Sequence, residues 1–185
     1  MFKKIFVIAV VSVLCSFSRS QAYNDDSVAV YTPRGTLIPD SYITVEFADD
    51  DDIPYWNNYY DIIFQNDELI GNSTRRYNCH GYAWHMIGDD CPTDSVWIGL
   101  DNPGCTYLYW QDESYSEVDP SFAEECEDEI IIDYTDDHSA VATHETDIFL
   151  SKWGKGPLMR HYKNNVPHRI NELFRLVCLS CLLLH

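Results

Sequence analysis

Residues 75–88 read RRYNCHGYAWHMIG and set a cysteine where a helix should begin. Asn78 is a favoured N-cap type, residues 79–87 carry the helix, and Gly88 suits the left-handed position that ends one. Cys79 then occupies the first turn. There the unpaired backbone N–H groups and the positive end of the helix dipole lower a thiol's pKa, and Arg75 and Arg76 add positive charge. That combination makes a thiolate nucleophile. The base it needs is expected from His138, in DDHSAVATHE (136–145), at the head of a strand-like run.

Around His138 the pattern is the clearest β signal in the chain. Strands are predicted over 130–135, 138–143, 148–153 and 158–162, with Asp136-Asp137 and Gly154-Lys155-Gly156 as turns, which together make an antiparallel meander. Period-two alternation puts His138, Ala140 and Ala142 on one face and Ser139 and Val141 on the other. The small alanines leave room for the Cys79 helix on the His138 face. The expected class is therefore α+β, a helix carrying Cys79 packed on a C-terminal antiparallel β-meander.

Working towards the N-terminus, residues 55–70 (YWNNYYDIIFQNDELI) fit a helix or two short strands. Residues 23–47, broken by Pro33-Arg34-Gly35 and Pro39-Asp40, fit short strands or an extended arm. The acidic run 49–52 reads as a solvated loop, since no EF-hand spacing surrounds it. Between the helix and the meander, residues 95–100 fit a strand or a short helix. YLYWQDESY (107–115) fits either a core strand or an aromatic cleft wall, with Tyr109 and Trp110 as substrate contacts. Residues 118–129 read as an acidic surface connection, and the apolar end LFRLVCLSCLLLH (173–185) as a final core strand.

Residues 1–22 have the form of a secretory signal peptide: Lys3 and Lys4, an apolar core over 5–17, and Ser20-Gln21-Ala22 resembling an A-x-A cleavage site. The apolar run is short for a bilayer span. The expected organisation is a signal at 1–22, an N-terminal arm or subdomain at 23–70, a core at 71–177 and an apolar tail at 178–185. Export to the periplasm or the extracellular space follows, with no stable membrane span after cleavage. The mature chain carries 9 basic and 30 acidic side chains, a net charge of −21, which argues against nucleic acid or anionic membrane as partners. Six cysteines remain after cleavage. Cys91 and Cys105 flank a short segment and are the preferred disulfide pair, worth roughly 3 kcal/mol in the chain-entropy model. Cys178 and Cys181 form a lone CxxC, read as a disulfide or free thiols rather than a zinc site.

Asn78-Cys79-His80-Gly81-Tyr82 resembles the Asp-Cys-Ser-Gly signature of NlpC-like cell-wall peptidases, and Asp137-His138 opening a strand resembles their histidine strand and that of CHAP amidases. The resemblance covers roughly 75–162. It implies a papain-like fold, Cys79 as nucleophile, His138 as base and an amide substrate in peptide or peptidoglycan, with no cofactor and no metal. The departures are Asn78 in place of aspartate and His80 in place of serine. The third polar member has no direct counterpart. Ser151 in FLSKWGKG (149–156) is the best placed, followed by Asp147 and Glu145, and a serine would orient the imidazole without lending it charge. The oxyanion donor would be the Cys79 backbone N–H, helped by Tyr77 or Asn78.

Two further readings stand beside the hydrolase. The missing carboxylate and the acidic surface fit a non-catalytic secreted binding domain that presents the 107–115 aromatics. A metal-dependent hydrolase would use His80, His85 or His138, but no motif such as HExxH gives these histidines diagnostic spacing.

Overall fold

The computed structural model describes residues 26–47, 52–86, 96–99, 101–117, 130–134, 138–166 and 175–179. The signal segment, the region of Cys91, the connection 118–129, the Asp136-Asp137 turn and the chain end beyond 179 lie outside them. In chain order the elements are β1 (Asp26–Ser27), β2 (Val30–Tyr31), β3 (Leu37–Ile38), β4 (Ser41–Ile43), α1 (Asp52–Ile63), β5 (Glu68–Gly71), a π-helix (Gly81–Met86), β6 (Trp97–Ile98) and a 3-10 turn (Pro103–Tyr107). They continue with α2 (Leu108–Gln111), β7 (Tyr115–Glu117), β8 (Ile131–Asp133), β9 (Ser139–Ala142), β10 (Ile148–Lys152), β11 (Leu158–Tyr162) and β12 (Arg175–Leu179). The class is α+β, mostly antiparallel strand with few helices.

One seven-stranded sheet in the order β5-β11-β10-β9-β8-β12-β7 carries the architecture, beside a three-stranded sheet β1-β4-β6 and the hairpin β2-β3. Its centre, β8 to β11, is a meander of consecutive antiparallel neighbours. The flanking strands come from far away in sequence: β5 pairs with β11, and β12 lies between β8 and β7. Both cross the expected boundaries at 70/71 and 177/178. Nor does the arm stand apart from the core, because Val30 and Ile38 are buried in the same cluster as Ala83, Trp84 and Val141.

The alternation of β9 holds, but the helix takes the other face. Val141 packs with Ala83 and Trp84, whereas Ala140 packs with Ile132, Tyr134 and Phe149 in a second cluster. The expectation that Ala140 and Ala142 would receive the helix is thus corrected. The helix buries the polar tips of His80 and Trp84, and a buried donor needs a polar partner more than it needs space; Ser139 supplies it and alanine cannot.

The ambiguous run 55–70 resolves into α1, a turn and β5. No residue of α1 is fully buried. Its Tyr60 and the following Phe64 pack edge-on against Trp153 at centroid distances of 5.2 and 4.3 Å, and Lys155 Nζ lies 4.1 Å from the Trp56 ring. Gly156 lets the helix come that close, because a Cβ there would fall 2.3 Å from Tyr60 Cε2. Gly156→Ala should therefore destabilise the fold by about 1–3 kcal/mol. Tyr60→Ala in the same chain should remove part of that loss, read as a non-zero coupling in a urea-unfolding double-mutant cycle. Strict additivity would disprove the contact.

Candidate functional site

The segment leading to Cys79 has no regular structure between β5 and the helix, and side chains fix it instead. Asn57 of α1 accepts the backbone N–H of Ser73 at 2.8 Å and its hydroxyl at 2.7 Å. Glu46 accepts the Thr74 hydroxyl and the Arg75 N–H, the latter at 3.0 Å, and pairs with Arg76 at 3.7 Å. Partial burial raises the Glu46 carboxyl, but the Thr74 hydroxyl, the Arg75 and Phe47 amides and Arg76 together hold it below its usual range. The Arg75 carbonyl accepts from both Thr44 Oγ1 and Trp97 Nε1.

Asn78 then joins three elements. Its Oδ1 accepts from Gly81 N–H at 2.9 Å, capping the helix, and from Ile98 N–H at 3.2 Å, while its Nδ2 donates to Ile98 O at 2.7 Å. A carboxylate could do the first two but not the third. That is the physical reason for asparagine where the resembled peptidases carry aspartate. Cys79 and His80 open the helical turn, which widens into the π-helix. Gly81 is needed there, since a Cβ would lie 2.0 Å from the Val96 carbonyl oxygen.

The Cys79 thiol is buried against β9. Burial pushes it up to about 11, opposed first by a hydrogen bond from the Ser139 backbone, then by the backbone N–H groups of His80 and Cys79 and by the charge of Lys152. His138 is one peptide link from the amide that meets the thiol. Its ring is fully buried and tilted at 32° against Tyr134, with centroids 5.6 Å apart. Beneath the helix the Ser139 hydroxyl meets His80 Nδ1 at 2.8 Å, Trp84 Nε1 at 2.9 Å and Asp133 Oδ1 at 3.4 Å. Trp84 only donates and takes one lone pair. With His80 bare at Nδ1 the hydroxyl hydrogen goes to the imidazole; with Nδ1 protonated it is released to Asp133.

Among the residues singled out from sequence, Tyr77, Asn78, Cys79 and the Ser139 amide beside His138 come together, but the His138 ring does not face the helix as expected: it packs on Tyr134, on the face of β9 that carries Ala140. Tyr77 stacks on Tyr82 at 6.1 Å and is half-buried, which raises its hydroxyl pKa. Tyr109 does not join them. It is fully buried, stacked on Trp84 at 5.0 Å, and so a core side chain rather than a cleft wall; Trp110 packs half-buried on the same ring. Residues 107–115 form α2 and a turn before β7, not one strand. The Ser151 hydroxyl bridges His161 Nε2 and Trp153 Nε1, both at 2.8 Å, so the imidazole it orients is on β11 rather than at the head of β9. Burial lowers His161 to about 4 against its bond to the Tyr162 carbonyl. Asp147 and Glu145 are exposed, with Glu145 paired to Arg160. The Cys105 thiol is free and buried in the core, and Cys91, its expected disulfide partner, lies outside the described residues.

Lys152, Ser139 and Asp133 escape sequence reading, since a lysine in a strand ordinarily reads as solvent-facing. The signal available for Lys152 is its period-two alternation with Leu150, which pairs with the buried Val141 on the face that meets the helix. Beside the Cys79 segment, a groove of about 660 Å³ is lined by Val28, Val30, Ile43, Glu46, Arg76 and His85. Among the described residues no group of three or more His, Cys, Asp or Glu is placed to hold a metal ion, and no helix is long and apolar enough to cross a membrane.

The fold and site define an α+β protein with a buried cysteine at a helix start, set against an antiparallel sheet. The chain matches no protein-family model, no curated protein and no solved structure.

The triple role of Asn78 gives a direct test. Asn78→Asp should destabilise the protein by about 1–3 kcal/mol near neutral pH, because a buried carboxylate would face the Ile98 carbonyl. That contact raises the new carboxyl's folded pKa above its unfolded value, so the deficit should shrink as pH falls and the acid form donates to Ile98 O. Chemical unfolding of both proteins across pH 4 to 8 measures it. A deficit independent of pH would refute the assignment.

Proposed function

We propose that the chain is an exported thiol-dependent hydrolase of amide bonds, with Cys79 as nucleophile and His138 as base, acting on peptides of the kind found in peptidoglycan. The observation that carries this reading is the placement of the Cys79 thiol, on the first turn of a helix and against the amide of Ser139, the residue after His138; the His138 ring packs on Tyr134, on the Ala140 face of β9, so its role as base requires the ring to turn towards the thiol. The Asn-Cys-His-Gly and Asp-His motifs that resemble those of NlpC-like and CHAP enzymes add to it.

In this reading His138 takes the Cys79 proton and the thiolate attacks the amide carbonyl, with the Cys79 backbone N–H and a neighbour from Tyr77 or Asn78 facing the oxyanion. Collapse breaks the C–N bond, and the imidazolium gives its proton to the leaving amine. A thioester is left on Sγ. Water, deprotonated by His138, attacks the thioester; the acid departs and the thiol is restored. Cys79 is only 6% exposed, so substrate must displace its cover before attack. This burial, with the thiol held above its ordinary pKa, is the observation that favours the second reading, a non-catalytic binding domain.

Cys79→Ala should lower hydrolysis of peptidoglycan stem peptides by about 10³-fold or more while the melting temperature stays within a few degrees, and His138→Ala should do nearly the same. Undiminished hydrolysis by folded Cys79→Ala would sink the enzyme reading. A wild-type protein that binds but does not cleave would favour the second.

A further inference from the structure

We propose that Lys152 is the positioning residue of this site: a buried ammonium that ties the Cys79 segment to the sheet and supplies the counter-charge for the Cys79 thiolate. This rests on the reading of Cys79 as a nucleophile. Lys152 is fully buried. Its Nζ donates to Thr74 O at 2.9 Å, Gly154 O at 2.6 Å and Gly156 O. A neutral amine has two N–H bonds and one lone pair, so three converging carbonyl oxygens select the three-donor ammonium. Thr74 opens the segment that carries Cys79, and Gly154 and Gly156 form the β10–β11 turn. One side chain therefore pins that segment to the meander.

The register puts the charge in the right place. Ala142 pairs with Phe149 and Val141 with Leu150, and the same register continued two residues sets Lys152 across from Ser139, on the face that meets the helix. Ser139 is the residue whose amide meets the Cys79 thiol. Among the described residues, the titratable groups that face Lys152 are Cys79, Glu46 and Tyr77, whose ring centroid is 5.3 Å from Nζ. Glu46 is already engaged by Thr74, Arg75 and Arg76. Burial lowers Lys152 to about 7, and Cys79 and then Glu46 pull it back up. Ionising Cys79 would therefore stabilise the charged lysine, and the charged lysine would stabilise the thiolate, in equal measure.

The test is the pH profile of iodoacetamide alkylation at Cys79, resolved by mass spectrometry, in folded wild type and folded Lys152→Met. The variant should label about tenfold more slowly at pH 7, its profile displaced upward by about one unit. A merely structural lysine would leave that profile in place, so superimposed profiles overturn the proposal. Should Lys152→Met not fold, the wild type decides through the rate ratio of anionic iodoacetate to neutral iodoacetamide at Cys79. The ratio should exceed that of the urea-unfolded chain at pH 7 and fall towards it as Lys152 loses its proton; equality at every pH overturns the proposal. Labelling that depends on Lys152 in a protein without hydrolytic activity would sink the enzyme reading and leave this one standing. No labelling of the folded protein at any pH would remove both.

Discussion

The join between helix and sheet rests on one residue of β9. Ser139 presents its amide to the Cys79 thiol and its hydroxyl to His80, Trp84 and Asp133, all in the buried interior. Each such hydrogen bond adds only about 0.5–1.5 kcal/mol, but a buried donor or acceptor left without a partner costs about 1–3 kcal/mol. The arrangement is therefore more specific than it is strong. Turning the helix by one residue would take the Trp84 N–H off the Ser139 hydroxyl and strand it in apolar surroundings, so the helix has one rotation and Cys79 one place.

Every other contact around Cys79 serves that placement from a different side. The segment between β5 and the helix has few backbone bonds of its own, and its carbonyls and amides are taken by Asn57, Glu46, Thr44, Trp97 and Lys152. These come from α1, the stretch around β4, β6 and β10, four parts of the chain distant in sequence. Asn78 closes the set by acting as helix cap and as partner to both backbone groups of Ile98. A loop held in this way is rigid without being regular, because its hydrogen bonds are satisfied by side chains rather than by a ladder.

That division explains what could be read beforehand. The meander and the Asn78 cap depend on local pattern, period-two alternation and one capping residue, and both are visible in the linear sequence. The long-range partners of the sheet are not: β5 and β12 join it across separations that no local signal encodes. Ala140 and Ala142 look like space for the helix in the linear sequence, but the deciding requirement is a hydroxyl for His80 and Trp84. Tyr109 and Trp110 illustrate the same limit. Their aromatic run fits a cleft wall and a core equally well, and only the stacking on Trp84 separates the two.

The buried pair of Cys79 and Lys152 also bears on how the site would work. Burial disfavours charge on both groups, raising the thiol and lowering the ammonium, while each charge favours the other. The closed site thus keeps its sulfur as a thiol, with the proton held until something compensates the lost solvation. A substrate that enters and displaces the cover over Cys79 would bring the sulfur into use only when its carbonyl is in place. Water entering alone would find a thiol of low reactivity. Reactivity would then be tied to occupancy, and the cover that keeps water out would also shield the sulfur from oxidants.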